Sequence, residues 1–188
     1  MVGYGGSGRR SLTRLAAFMA GYKLFEIQLS KNYGEEEFKA DLVKLYKEYL
    51  APPVHANQHV VFLFTDQHVA DESFLEYINS ILTTGVAPSI FADDERDSLA
   101  RDCREMAVAE YKQRGQQFVD SKEQLWNYFV NSCRDRLHIV LSMSPVGDTL
   151  RKRCRAFPGL IGSCTIDWYQ SWPDDGLKVV AQSILFDQ

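Results

Sequence analysis

The sequence is poorest in the features that would assign it quickly to a familiar class. Its four cysteines, Cys103, Cys133, Cys154 and Cys164, form no CxxC pair, so neither a zinc ribbon nor a disulfide framework is indicated. A reducing, cytosolic-type compartment is the matching expectation. There is no basic surplus: the net charge is −4, which speaks against duplex nucleic acid as a partner. The longest apolar runs, such as Val60–Phe64, are far too short to span a bilayer. Met1 and Val2 lead into glycines and two arginines, which is not the pattern of a signal peptide. No internal repeat and no low-complexity linker interrupts the chain. His55, His59, His68 and His138 show no metal-ligand spacing, and no G-x-S-x-G nucleophile setting occurs.

What remains is an ordinary globular composition. The 188 residues are 45% hydrophobic and 24% charged, enough for one domain with a real core. Leu12, Leu15, Ala16 and Met19 recur at helical spacing before a capping Gly21. A strand is expected at 24–29. A second amphipathic helix carries Phe38, Leu42, Leu45, Tyr46 and Tyr49 and ends at Ala51-Pro52-Pro53. Val60–Phe64 reads as a strand buried on both faces, followed by a helix through Phe74, Leu75, Ile78, Ile81 and Leu82 that stops at Gly85 and Pro88. The stretch 93–136 is charged and helical, with a capping box from Asp120 and Glu123, or from Ser121 and Gln124. Leu137–Leu141 is a second buried-type strand, a short helix starts at Thr149, a last strand covers 164–168, and 174–186 is helical. Strands alternating with helices imply a mostly parallel sheet covered on both faces.

The chemistry is concentrated at three strand ends. Gly3-Tyr4-Gly5-Gly6-Ser7-Gly8-Arg9-Arg10 has the G-x-x-x-x-G spacing of a Walker A phosphate loop, whose backbone N–H groups cradle phosphate at a helix N-terminus. Arg9 stands where a lysine is usual and has a larger, planar fork. Arg10 replaces the hydroxyl residue and offers no acceptor to a metal; Ser11 sits one residue too far along. Gly3, Gly5 and Gly8 also satisfy the G-x-G-x-x-G dinucleotide fingerprint, with Glu26 as the available ribose partner. A third reading is a flexible tail that binds nothing. Only Met1 and Val2 precede the loop, so the incoming strand is largely missing and the chain reads as a fragment or truncated product. At the end of the second strand Thr65 and Asp66 take the places of a metal-holding Asp and a water-activating Glu. Thr65 would be a weak metal partner, and Asp66 is one methylene shorter than Glu. Ser144, after the strand 137–141, is placed to touch a terminal phosphate or simply to hydrogen-bond within a turn. Arg151-Lys152-Arg153-Cys154-Arg155 reads as a solvated helix face or a module interface that reaches a neighbour's nucleotide. Trp126, Trp168 and Trp172 read as core or interface residues.

Taken in order, GYGGSGRRSLTRLAAFMAGY at 3–22, FEIQLSKNYGEEEFKADLVKLY at 25–46 and VVFLFTDQHVADESFLEYINSIL at 60–82 resemble dynein heavy chains. So do APSIFADDE at 87–95, LHIVLSMSPVGDTLRKRCRAFPGL at 137–160 and CTIDWYQSWP at 164–173. The combination is most similar to the fourth AAA+ module of axonemal forms. The resemblance implies an α/β fold: the three-layer P-loop NTPase (AAA+) large subdomain, spanning 1–188 without a small helical subdomain, stalk or linker. It implies ATP or ADP at Gly3, Gly5, Gly6, Ser7, Gly8, Arg9, Arg10 and Ser11. A weak or vestigial Mg²⁺ position falls at Thr65, a vestigial catalytic acid at Asp66 and a sensor at Ser144. Gly162-Ser163-Cys164 stand where related modules present an arginine to the neighbouring site. The implied role is a regulatory module that binds nucleotide without efficient hydrolysis; the alternative is a non-binding structural wedge. Implied partners are the neighbouring modules of one heavy chain, with intermediate chains, light chains and microtubules reached through the full complex, in the cytoplasm and in the axoneme of a cilium or flagellum. Neither nucleic acid nor membrane is expected.

Overall fold

The computed structural model describes residues 1–51, 57–115 and 117–186. Pro52, Pro53 and His55 therefore lie outside the described residues. Strand β1 is Val2–Gly3 and helix α1 is Arg9–Met19, closed by Gly21, which takes a positive φ of 68°. Strand β2 is Lys23–Glu26, shorter than the alternation at 24–29 suggests. Helix α2, Glu35–Lys44, runs on as a π-helical turn over Leu45–Leu50. Then follow β3 (Val60–Thr65), α3 (Ser73–Thr84), α4 (Asp93–Asp102), α5 (Arg104–Gln113) and α6 (Lys122–Arg136). The chain continues through β4 (Leu137–Ser142), α7 (Thr149–Ala156), the single turn α8 (Gly159–Gly162), β5 (Trp168–Tyr169) and α9 (Asp174–Phe186). The last strand is thus two residues long and lies beyond most of the expected 164–168.

Every pairing is parallel. β3 lies between β2 and β4, and a bridge from Val2 to Met143 joins this sheet to the pair β1–β5. The spatial order is therefore β2-β3-β4-β1-β5, with helices on both faces. β3 is buried along its whole length, as a continuous apolar run predicts. Val60, Phe62 and Phe64 belong to the main core with Phe38 and Phe74, whose rings stack at 4.3 Å. On the other face α1 packs against β2, β3 and β4.

Several polar anchors hold this core in one arrangement. The buried Tyr46 hydroxyl donates to the Gly85 carbonyl at 2.6 Å. Buried Arg136 donates to the Ser132 carbonyl at 2.8 Å and to the Leu50 carbonyl at 2.6 Å, which satisfies a charge that would otherwise be costly inside. At the start of α6 the Ser121 hydroxyl accepts from the Gln124 N–H at 3.2 Å, while Gln124 reaches back to the Val119 N–H at 3.1 Å. Ser121 is thus the N-cap, but the reciprocal half of a capping box is not made, since Gln124 accepts from Val119 rather than from the Ser121 N–H. Asp120 pairs with Arg104 at 2.8 Å instead.

β4 departs from its expected burial. Leu137 to Leu141 are only half-buried, since β1 reaches it only at its C-terminal end. There the Gly3 N–H donates to the Met143 carbonyl at 3.2 Å, and the Met143 N–H donates to the Met1 carbonyl at 3.0 Å. Beside the rest of β4 runs an open trough of about 1450 Å³, walled by Leu12 and Ala16 of α1, Val61, His138, Val140 and Ile166. Apolar strand surface left beside such a trough forgoes burial worth roughly 25 cal/mol per Å².

Two outcomes follow for stability. The chain as a separate 188-residue polypeptide is expected to be marginally stable, and a cooperative thermal transition at high temperature would contradict that. Phe38→Ala should cost about 3–5 kcal/mol, read as a shift in denaturant midpoint; a shift equivalent to less than about 1 kcal/mol would show that the Phe38–Phe74 stack is not central to the core.

Candidate phosphate-binding site at the strand ends

Parallel register brings three loops to one edge of the sheet. Thr65 is opposite Ser142 and Val2 opposite Met143, so β1, β3 and β4 finish side by side. Open parallel sheets place their ligands at this carboxyl edge.

The loop after β1 is shaped by its glycines. A Cβ on Gly3 would lie 2.8 Å from the Tyr169 Cβ and 2.9 Å from the Tyr169 carbonyl oxygen, so β5 admits only glycine there. Gly8, the N-cap of α1, takes a left-handed φ of 80° beneath the Trp172 ring, a conformation that disfavours side chains. Trp172 therefore steadies the loop. Trp126 is buried in the core and Trp168 is exposed. Eleven-residue α1 points its N-terminal N–H groups at the loop, the ordinary arrangement for holding an anion. The Ser7 hydroxyl is buried and has no hydrogen-bond partner among the described residues; the same is true of the Thr65 hydroxyl. Unmet buried groups are uncommon in folded proteins; Ser7 lies in the glycine loop and Thr65 at the end of β3, the two places that would face a phosphate. The donor set therefore fits a nucleotide's phosphates.

The arginines of the loop diverge. Arg9 donates to the Met143 carbonyl, and to the Tyr4 carbonyl at 3.3 Å, so it stays with the strand ends. Arg10 turns away to Glu26 at 2.6 Å. Arg14, one helical turn on, takes both oxygens of Glu26 at 2.9 and 2.8 Å. Both oxygens of the acid that a dinucleotide reading would assign to a ribose thus already accept hydrogen bonds from α1. Ser11 is exposed on α1. Thr13 is buried instead, its hydroxyl donating to the Arg9 carbonyl at 2.9 Å.

Asp66 is engaged on both oxygens. Its Oδ2 accepts from the Ser144 N–H, and its Oδ1 from Arg153 Nη1 at 2.8 Å. Arg153 also donates to Glu72 Oε1 through Nε at 3.0 Å and Nη2 at 2.8 Å. Ser144 therefore meets Asp66 through its backbone, while its hydroxyl accepts from the Val146 N–H at 3.3 Å. The Thr65 N–H donates to His68 Nδ1 at 3.1 Å, which requires the neutral imidazole. Burial first, and Arg10 second, hold the His68 pKa below its ordinary 6.5. The stabilisation from neutral His68 is present above 6.5 and is lost as pH falls below that value.

Arg153 and Glu72 are the site residues that motif reasoning passes over. The basic run looks like a solvated face, and Arg151, Lys152 and Arg155 are indeed exposed. Arg153 differs because Leu150, Arg153 and Phe157 share a face at i, i+3 and i+7, and Leu150 and Phe157 pack against the core. That spacing was the available signal. Gly162 and Ser163 are exposed.

A parallel α/β sheet with a glycine loop between its β1 and a helix N-terminus is the fold of a P-loop large subdomain of the AAA+ type. The chain belongs to the family described as the P-loop containing dynein motor region D4, which matches residues 1–188. It is 47% identical over its whole length to the dynein-1-alpha heavy chain of the flagellar inner arm I1 complex of Chlamydomonas reinhardtii. It is 46% identical over 185 residues, 98% of the chain, to human dynein axonemal heavy chain 10, and 42% identical over 183 residues, 97% of the chain, to human axonemal heavy chain 6. The chain spans about 4% of the length of each of these three relatives.

The Glu26 cluster sets an acid limit. The Arg14 hydrogen bonds, with those of Arg10, hold its carboxyl down from 4.5 to about 2. A lowered carboxylate contributes stability above its unfolded pKa and loses it as pH falls through the folded one. Stability should therefore decline between pH 4.5 and about 2, and Glu26→Gln should flatten that slope by on the order of 1–2 kcal/mol after solvent screening of the half-exposed arginines. Denaturant titrations across this range check it; parallel curves for the two proteins would show that the cluster contributes nothing.

Proposed function

We propose that this chain is a nucleotide-binding regulatory module of a dynein motor, holding ATP or ADP at the Gly3–Ser11 loop without efficient hydrolysis. The observation that carries the reading is the partnerless buried hydroxyl of Ser7, set among the loop glycines at the N-terminus of α1. Phosphate oxygens would accept from that hydroxyl and from the helix N–H groups, with Arg9 adding charge at the same edge. Catalysis is a different matter. A residue that activates water must be within reach of it; Asp66 is one methylene shorter than glutamate, and a hydrogen bond on each of its oxygens already fixes the carboxylate in place. The fit for Mg²⁺ is also poor: Arg10 offers no oxygen, Thr65 offers one neutral hydroxyl, and Asp66 is shared with Arg153. No step is assigned to a metal.

The setting proposed for the module is a ring of AAA+ modules within one heavy chain. Intermediate chains, light chains and microtubules would be reached only through the full complex, in the cytoplasm and the axoneme of a cilium or flagellum. Names of relatives such as the flagellar inner arm I1 heavy chain support that setting.

A second reading, a structural wedge that binds no nucleotide, has one observation in its favour: Arg9 and Arg10 are both already engaged within the chain. Calorimetric titration of ATP and ADP into the 188-residue chain separates the two. Binding is expected, and Arg9→Ala, with its fold checked by circular dichroism, should weaken it by at least about tenfold. Absence of binding in folded protein would favour the wedge; unchanged affinity in Arg9→Ala would overturn the role given to the loop arginine.

A further inference from the structure

A phosphate site needs positive charge, and in this one the charge that a metal would bring is already supplied by a side chain. We propose that Arg153 is the resident cation of the site, standing against Asp66 in place of a divalent metal, so that nucleotide is taken in metal-free form. The inference rests on the nucleotide-binding reading above and names the form of the ligand.

The geometry is that of a built position. Arg153 leaves α7 on the face that carries Leu150 and Phe157, and its side chain is only 12% exposed, against 35% for Asp66. Three of its N–H groups are spent on two carboxylates: Nη1 on Asp66 Oδ1, Nε and Nη2 on Glu72 Oε1. A guanidinium in such a fork is fixed in orientation as well as in charge. An exposed ion pair would be worth little, but burial of the donor and its triple engagement take it out of that class. Nη1 also lies 4.0 Å from the Met143 sulfur. Arg9 donates to the carbonyl of that same Met143. Two guanidiniums thus reach the end of β4, one from the phosphate loop and one from α7.

Each position that would hold a metal carries a substitution pointing the same way. The residue after Arg9 is a cation that faces Glu26, the end of β3 carries a neutral threonine, and the remaining carboxylate is closed by Arg153 on one oxygen and by a backbone N–H on the other. A divalent ion entering here would have to displace a bonded guanidinium and then sit beside it, with like charges in contact. Arg153 occupies that place beside Asp66 without the conflict, and Arg9 adds its charge from the loop side.

The test is nucleotide affinity of the 188-residue chain, measured with ADP and with ATP, in excess EDTA and in excess Mg²⁺. Wild-type affinity is expected to be higher in EDTA than in excess Mg²⁺, which complexes the phosphates of ADP and ATP and so competes with the site for them. Arg153→Gln should lose about tenfold or more in EDTA and recover with Mg²⁺. With Mn²⁺ as a paramagnetic probe, bound metal signal should appear with ADP in Arg153→Gln and not in wild type. Glu72→Gln leaves Arg153 on Asp66 and should keep the wild-type preference for metal-free nucleotide. A wild-type requirement for Mg²⁺ of about tenfold or more overturns the inference, and that comparison decides alone if Arg153→Gln does not fold. Arg153→Gln that responds to EDTA and Mg²⁺ as wild type does overturns the role of Arg153 while leaving nucleotide binding intact. No binding in either condition removes this inference and the function it rests on together.

Discussion

Strand β3 is the element on which the rest of the molecule is placed. It is buried on both faces and paired in parallel on both edges, so its backbone and side chains have a single satisfactory position. Val60, Phe62 and Phe64 anchor the aromatic core on one side. On the other, α1 lies across β2, β3 and β4 and so carries the glycine loop to the sheet edge. A one-residue slip of β3 would exchange its two buried faces and would also move Thr65 and Asp66 away from Ser142 and Ser144. Core packing and site geometry are therefore one constraint.

That constraint has a weak flank. β4 shares full register with β3, yet its other edge meets β1 only at the end. The trough beside it leaves Leu137 to Leu141 half-buried. The strand ends that form the site are nonetheless well tied, because Met143 bonds to Met1 and Gly3 while Val2 bonds to the Asp167 carbonyl at 2.7 Å. The site is thus held at its own edge by short-range hydrogen bonds, while apolar surface is left bare at the opposite end of the same strands.

Charge is distributed by the same logic. Of the loop arginines, Arg10 serves the fold by neutralising Glu26 with Arg14, and Arg9 serves the site by holding the end of β4. Arg153 and Glu72 complete a chain of bonded groups running from the loop through Met143 and Ser144 to Asp66.

The sequence by itself determined the alternation of strands and helices, the parallel sheet and the loop-to-helix junction at Gly8. It also marked Thr65, Asp66 and Ser144 as strand-end residues. These depend on local periodicity, glycine conformation and short-range order, all of which are written along the chain. It could not tell which of Asp120 and Ser121 would cap α6, since that turned on Arg104, sixteen residues away. It read the run 151–155 as one basic face, although the core contacts of Leu150 and Phe157 turn Arg153 inward and leave its neighbours in water. Only the tertiary structure decided that Arg10 faces Glu26, that Arg153 meets Asp66 across 87 residues of chain, and that β4 is half-bare. Pairings of that kind depend on which elements pack together, and no local pattern records the direction in which a long charged side chain finds its partner.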